Sequence, residues 1–246
     1  MANDPLTRYS RVLSGVFHQA VFIAESESDC LFYHTILHTE SVCGSSAPDV
    51  LFIHAGGKSR MRKLAGLLRS LDVPLSVIAD IDILNDETTF RQLFETLGGD
   101  WNEIEGDWNS LNNTVVNTRP PLTADQVRHR IQTEVQDVSG NKPFPKQVER
   151  NIRSIFQSLS PWDQIKKVGR TGFGRGAPIT IFDRLVESCG TRGLWIVPVG
   201  ELEGFCRTIE ARHGPDFTEK VLTQRNVETD AALQEARDFV RKIWLG

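Results

Sequence analysis

Residues 20–37 read AVFIAESESDCLFYHTIL, and this stretch contains the two elements from which the fold can be worked outward. Its first five residues are apolar and include strand-favouring types. From Asp29 onward, apolar residues recur at helical spacing. Between the strand and the helix lie three acids, Glu25, Glu27 and Asp29. Like charges this close repel one another, so the turn is the first candidate for a functional site.

The alternation of strand and helix continues along the chain. The predicted strands are 20–24, 50–55, 75–80 and 193–199, and the predicted helices around them are 5–18, 29–38, 58–71, 202–213 and 229–244. A β-α-β-α-β order with almost uninterrupted apolar strands is typical of a parallel sheet covered by helices on both faces. The sequence therefore predicts an α/β fold.

A long polar and helix-prone segment, 85–190, separates the third strand from the fourth. It is too long for a simple crossover connection, and it closes with the basic, glycine-rich stretch KKVGRTGFGRGAP at 166–178. We therefore predict a helical insertion over 85–190, within a catalytic domain formed by 1–84 and 191–246.

Composition and charge restrict the class of protein. The 246 residues are 39% hydrophobic and 24% charged, which is ordinary for a globular protein. The formal net charge is −4, so contact with a phosphate backbone requires a local cationic patch. The four cysteines show no C-x-x-C motif or disulfide-framework spacing, and no apolar run approaches the ~18 residues of a membrane span. These features predict a cytoplasmic protein with reduced thiols and no membrane contact.

Acidic residues follow three of the four predicted strands. They are Glu25 and Asp29 after the first strand, Asp80 and Asp82 after the third, and Glu201 and Glu203 after the fourth. In open α/β sheets, ligands bind beyond the carboxyl ends of the strands. If the third strand continued through its two acids, period-two geometry would point both side chains the same way. Convergent carboxylates repel one another unless a cation joins them, and Mg²⁺ or Mn²⁺ fits an all-oxygen site best. Two such ions suit phosphoryl chemistry.

Helix capping is the alternative explanation for any one of these acids. Ser26 or Ser28 together with Asp29 is typical of a helix N-terminus, and acids are favourable in the first turn of a helix. The convergence of the whole set at strand ends favours metal binding.

The order Glu25-x-x-x-Asp29, then HAGGKS at 54–59, then ADID at 79–82 resembles the Toprim domain. The closer resemblance is to the Toprim of OLD-family (overcoming lysogenization defect) nucleases, over about residues 15–85 and again at 193–205. It implies that Glu25 is a metal ligand or general base, that Asp29 is the accompanying acid of two-metal members, and that ADID supplies the metal-binding Asp-x-Asp pair.

The resemblance also implies a lysine that stabilises phosphate charge, for which Lys166 and Lys167 are the candidates. Glu201 or Glu203 would supply a further acid. Family members typically carry this domain behind an ABC-type ATPase domain. Phe52 replaces the first glycine of a Walker A motif here, so this chain would be the nuclease portion alone or a stand-alone relative. The resemblance then implies an ATPase domain in the full-length protein or in trans.

Three basic residues are candidate contacts to DNA. Lys58 lies in the GGKS turn, which also reads simply as a turn that enters a basic helix. Arg170 and Arg175 lie in the glycine-rich stretch, which predicts a flexible phosphate clamp and is equally typical of a mobile surface loop. The tryptophans of the insertion favour packing over base stacking; they are Trp101, Trp108 and Trp162.

These observations predict a Mg²⁺- or Mn²⁺-dependent DNA endonuclease of the OLD type. Two alternatives stay open. One is an inert Toprim-like module that binds nucleic acid or serves as a scaffold. The other is a primase- or topoisomerase-type Toprim, although neither Tyr9 nor Tyr33 is placed in the sequence as a topoisomerase nucleophile would be.

Overall fold

The computed structural model describes residues 10–44, 48–118, 122–138, 140, 143–157 and 160–246. Within them the chain forms a sheet of four parallel strands: β1 (Ala20–Ala24), β2 (Val50–His54), β3 (Leu75–Ala79) and β4 (Leu194–Ile196). The strand order is β2-β1-β3-β4. The predicted α/β fold with a parallel sheet is therefore confirmed.

Helices cover the sheet. In chain order they are α1 (Ser10–Leu13), α2 (Glu27–Leu37), α3 (Glu40–Cys43), α4 (Lys58–Arg69), α5 (Glu87–Thr96), α6 (Trp101–Thr118), α7 (Ala124–Val135), α8 (Lys146–Gln157), α9 (Pro161–Val168), α10 (Ala177–Gly190), α11 (Pro215–Gln224) and α12 (Gln234–Leu245). Short 3₁₀ segments lie at Ser14–Phe17, Ile81–Asn85, Gly169–Phe173, Leu202–Cys206 and Ala231–Leu233. None of the helices in these described ranges has the length and apolar character needed to cross a membrane.

Each face of the sheet has its own buried cluster, because successive strand residues point to opposite sides. Val21 and Ile23 of β1 pack into one cluster, whereas Phe22 and Ala24 pack into the other. Both faces are thus covered, which explains why the strand sequences are apolar at almost every position.

Four helices of 85–190, namely α5, α6, α9 and α10, share the first of these clusters with the sheet. Trp101, Trp108 and Trp162 are all buried in it, at 2%, 5% and 1% exposure. The preference for packing over base stacking is therefore confirmed. The division into 1–84 with 191–246 and a separate 85–190 insertion stays a prediction.

Several predicted boundaries differ from the structure. The helix expected at 202–213 is only the 3₁₀ segment Leu202–Cys206, and the next helix begins at Pro215, which suits a first helical position. The N-terminal helix expected at 5–18 is seen as α1 and the 3₁₀ segment Ser14–Phe17, while 5–9 lie outside the described residues.

The third strand also ends earlier than predicted, at Ala79. Asp80 leaves the strand and precedes a 3₁₀ helix, and the next N–H, that of Ile81, donates to the carbonyl of Gly200 at 2.9 Å. The prediction that the third strand would run through Asp80 and Asp82, and that strand alternation would point both side chains the same way, is therefore wrong. The hydrogen bond ties the end of β3 to the turn after β4, and this tie positions the site.

Candidate metal centre

The switch point of the sheet lies between β1 and β3. The chain leaves β1 for β2 on one side and returns to β3 on the other, and such a crevice is where open α/β sheets bind ligands. Glu25 directly follows β1 and Asp80 directly follows β3, so both acids lie at the mouth of this crevice. The strand order thus brings together acids that are far apart in sequence.

The turn after β1 is fixed by a capping box at the start of α2. The Ser26 hydroxyl accepts from the Asp29 N–H at 3.2 Å, and the Asp29 carboxylate accepts from the Ser26 N–H at 2.8 Å. The capping explanation is therefore correct for Asp29, one of whose oxygens is used by the cap. Glu27, in contrast, is exposed.

The GGKS turn after β2 closes over the same crevice. The N–H groups of Gly56 and Gly57 donate to the carbonyl of Glu25 at 2.9 and 3.2 Å, and α4 then begins at Lys58. The Lys58 ammonium forms an ion pair with Asp82. Lys58, predicted as a DNA contact, therefore lies among the carboxylates.

Lys166 enters the cluster from the C-terminal half of α9. Its Nζ lies 2.9 Å from Asp80 Oδ2, 3.5 Å from Asp82 Oδ2 and 3.7 Å from Glu201 Oε2. Burial opposes the charge on Lys166, but Asp80 and Asp82 outweigh it and raise the pKa of the ammonium, so Lys166 stays protonated. The neighbouring Lys167 is exposed. Of the two candidates, the structure places Lys166 in the cluster.

A glycine permits this approach. Gly200 has a φ of +104°, and a Cβ there would lie 1.9 Å from the carbonyl oxygen of Lys166. Only a residue without a side chain lets α9 pack this close to the turn after β4.

The two acids beside β1 are hard to ionise in the metal-free chain. Burial, and then the charge of Asp80, raise the pKa of Glu25 from 4.5 to about 7. The same two causes raise the pKa of Asp29 from 3.8 to about 6, against the hydrogen bonds of its cap. Both groups lie where a cation would restore their ordinary pKa.

Three carboxylate oxygens in the cluster are buried and have no hydrogen-bond partner among the described residues. They are Glu25 Oε2, Asp82 Oδ1 and Glu203 Oε2. An unpaired buried carboxylate oxygen is costly, because the group has lost its water and gained no donor. Oxygen atoms of this kind are the ligands that Mg²⁺ and Mn²⁺ prefer, so the donor set fits such ions.

Glu203 is held by a residue that the sequence did not indicate. His213 Nδ1 lies 2.7 Å from Glu203 Oε1, and the Gly214 N–H donates to the same oxygen at 2.7 Å. The bond to Glu203 raises the pKa of His213 from 6.5 to about 9. Burial opposes ionisation of Glu203, but these hydrogen bonds outweigh it and lower its pKa. His213 lies in an irregular segment without a motif, so nothing in the sequence marked it.

Residues 16–82 match the family model for the TOPRIM domain of overcoming lysogenization defect protein-like proteins. The resemblance to an OLD-type Toprim is confirmed. The matched segment contains β1 to β3 with Glu25, Asp29, Asp80 and Asp82. Lys166, the two acids after β4 and His213 lie beyond it.

Two solved structures of the C-terminal region of the Xanthomonas campestris pv. campestris OLD protein, one phased with platinum and one with iodine, are similar to this chain. Their sequences are 13% and 14% identical to it, and each alignment covers 93% of this chain with a TM-score of 0.35. The alignments cover 95% and 97% of those two chains. No curated protein matches the chain.

The two arginines of the glycine-rich stretch 166–178 lie outside the Toprim match, and in the described part of the chain neither forms an ion pair with the carboxylate cluster. Arg170 binds both oxygens of Asp183, at 2.6 and 2.5 Å, and its N–H donates to the carbonyl of Pro198. Phe173 is buried and stacks on Phe182 at 4.8 Å, which anchors the first half of the loop. Arg175 is exposed. A role of either arginine in binding DNA stays a prediction.

Proposed function

We propose that this Toprim segment is the catalytic part of a metal-dependent DNA endonuclease that hydrolyses phosphodiester bonds. The observation that carries the proposal is the group of three buried carboxylate oxygens beyond the carboxyl ends of β1, β3 and β4 that have no hydrogen-bond partner among the described residues. The residues that would hold two Mg²⁺ or Mn²⁺ ions are Glu25, Asp29, Asp80, Asp82, Glu201 and Glu203. Bound ions of this kind lower the pKa of water and neutralise charge on a phosphate.

The chain's own residues would position and neutralise the substrate. Lys166 is the one lysine of its pair that lies among the acids, and its ammonium would stabilise the negative charge that develops on the scissile phosphate. Glu25, whose pKa is raised to about 7, would serve as a metal ligand or as the base that accepts a proton from water.

Contacts to the DNA backbone would come from cations around this centre. Lys58 would leave its ion pair with Asp82 and bind a phosphate of the DNA backbone. Arg175, which is exposed, would bind another phosphate. Arg170 would contribute only by leaving Asp183. Because the net charge is −4, binding would depend strongly on this local patch and would weaken with salt.

We further propose that the nuclease works in the cytoplasm with an ABC-type ATPase domain, in the same polypeptide or in trans. The support is the OLD-type Toprim match and the free state of the four cysteines, which suits a reducing compartment.

Plasmid nicking tests the proposal. We expect nicking with Mg²⁺ or Mn²⁺ and none with EDTA. The Asp80→Ala/Asp82→Ala variant should lose at least about a hundredfold in rate, because it removes metal ligands. Glu27→Ala is the matched control, since it removes an exposed acid beside the same turn. A double variant that nicks at the wild-type rate would refute the assignment of this site.

The rival function is a catalytically inert Toprim that binds nucleic acid or acts as a scaffold. It is favoured by the ion pairs of Lys58 and Lys166, which already neutralise part of the cluster without metal. A wild-type protein that binds DNA and never nicks it would support this rival.

A topoisomerase-type Toprim is disfavoured, because Tyr33 is 1% exposed within an apolar cluster and is not available as a nucleophile. Tyr9 lies outside the described residues.

A further inference from the structure

Beyond the Toprim match, three donors converge after β4. Glu201, Glu203 and His213 each have one possible ligand atom, a carboxylate oxygen or an imidazole nitrogen, and these three atoms lie within 4.8 Å of one another. His213 Nδ1 is 2.7 Å from Glu203 Oε1 and 3.9 Å from Glu201 Oε2. This group therefore offers a nitrogen donor beside oxygen donors, unlike the acids that follow β1 and β3.

The histidine is held in place by backbone hydrogen bonds on both sides. The Arg212 N–H donates to Asp216 Oδ2 at 2.6 Å, which fixes the residue before it against α11. The Gly214 N–H donates to Glu203 Oε1, which fixes the residue after it against the acid. The side chain itself is 71% exposed, so solvent ions can reach it.

A second observation points to a ligand at the same place. Oε1 of Glu203 already receives the two bonds from His213 and Gly214, whereas Oε2 is buried and accepts no hydrogen bond in the described part of the chain. A buried carboxylate oxygen left without a partner next to an accessible imidazole is arranged for a cation.

We propose that His213 is a metal ligand and that, with Glu201 and Glu203, it forms a mixed nitrogen and oxygen subsite selective for Mn²⁺ over Mg²⁺. Imidazole is a ligand of first-row transition ions, among which Mn²⁺ binds most weakly, whereas Mg²⁺ prefers oxygen donors only. The bound ion would replace the hydrogen bond between His213 and Glu203. Binding of the ion does not depend on the proposed nuclease function. The role of the bound ion in catalysis does rest on it.

Titration of Mn²⁺, followed by the electron paramagnetic resonance signal of the free ion, tests the subsite without any activity readout. We expect His213→Gln to weaken one class of Mn²⁺ sites by about tenfold or more, as loss of a ligand or its supporting partner does in other metal sites. Mg²⁺ binding, measured by calorimetry, should change little in the same variant. His129→Gln removes an exposed histidine of α7 and is the matched control.

His213→Asp provides a second arm, because it replaces the nitrogen donor with oxygen. We expect it to bind Mg²⁺ more tightly than His213→Gln does and to reduce the preference for Mn²⁺. The inference is overturned if His213→Gln binds Mn²⁺ as the wild type does, or if it loses Mg²⁺ and Mn²⁺ affinity equally.

The two proposals fail in different ways. A wild-type protein that holds Mn²⁺ through His213 and never nicks DNA would refute the nuclease and keep the subsite. A wild-type protein that nicks DNA while His213→Gln binds Mn²⁺ unchanged would refute the subsite and keep the nuclease.

Discussion

At the scale of single residues, two lysines act as internal counter-ions for the carboxylate cluster. Lys58 pairs with Asp82, and Lys166 lies 2.9 Å from Asp80. These ion pairs are about four-fifths removed from solvent, so losing one partner leaves a poorly solvated charge behind. A divalent ion and a lysine ammonium therefore compete for the same oxygens.

Replacement of Lys58 should reveal this competition. We expect Lys58→Met to lower the stability of the metal-free protein by roughly 1 kcal/mol or more, because Asp82 loses the nearer of its two cations and keeps only Lys166. The gain in melting temperature on adding Mn²⁺ should exceed that of the wild type, because the ion no longer displaces an ammonium. Lys63→Met, an exposed residue of α4, is the control. Thermal melts with and without Mn²⁺ decide the point, and identical gains in all three proteins would contradict it.

At the scale of elements, the site depends on how closely α9 packs against the turn after β4. The Ile81 N–H donates to the carbonyl of Gly200, and the Lys166 carbonyl oxygen lies against the Gly200 backbone. This one residue therefore connects the end of β3, α9 and the turn after β4. Helix α9 in turn places Lys166 among acids supplied by the strands. The geometry of the cluster is thus a property of packing between elements rather than of any loop.

Gly200→Ala should therefore lower the free energy of unfolding by more than the backbone strain of alanine at this position accounts for. Alanine at a comparable positive φ costs about 1–3 kcal/mol, and the clash with Lys166 should add about 1–3 kcal/mol of overpacking. Gly44→Ala isolates the first contribution, since Gly44 has a φ of +69° and no atom within 4 Å of an added Cβ. Urea unfolding measures both costs. An equal loss of unfolding free energy in the two variants would contradict the prediction, because it would show that α9 moves away from the added methyl group at no cost.

At the scale of the whole molecule, the sheet concentrates carboxylates at one edge of a protein whose net charge is already −4. The pKa of Glu25 is raised to about 7 and that of Asp29 to about 6 by burial and by Asp80. A carboxyl with a higher pKa in the folded chain keeps its proton longer there than in the unfolded chain. Its contribution to stability is complete below its ordinary pKa and is lost as pH rises through the raised value.

The metal-free protein should accordingly lose stability between about pH 4 and 7. Ordinary pKa values of 4.5 and 3.8 and raised values of about 7 and about 6, for Glu25 and Asp29, define that window. Mn²⁺ binds the ionised acids, so the gain in melting temperature on adding it should grow over the same range. Melts in EDTA and in Mn²⁺ from pH 4.5 to 8 check this, with Glu25→Gln expected to flatten the EDTA curve. A flat curve for the wild type would contradict the prediction.

The sequence by itself determined the strands, the two helices between them, and the acids at their ends. These features depend on local periodicity and on the rule that parallel strands present their carboxyl ends at one edge, so Glu25 and Asp80 could be placed without coordinates. Strand boundaries were less secure, because a backbone bond to Gly200, remote in sequence, ends β3 at Ala79.

Only the tertiary structure decided which residues from the rest of the chain complete the site. It places Lys166 rather than Lys167 among the acids, directs Arg170 to Asp183, and brings His213 to Glu203. Neighbouring lysines on a helix have the same local sequence signals, and an irregular segment has no periodicity to mark a histidine. What distinguishes them is the packing of α9 against the 3₁₀ segment Ile81–Asn85 and of α11 against α2, a non-local free energy that no short stretch of sequence contains.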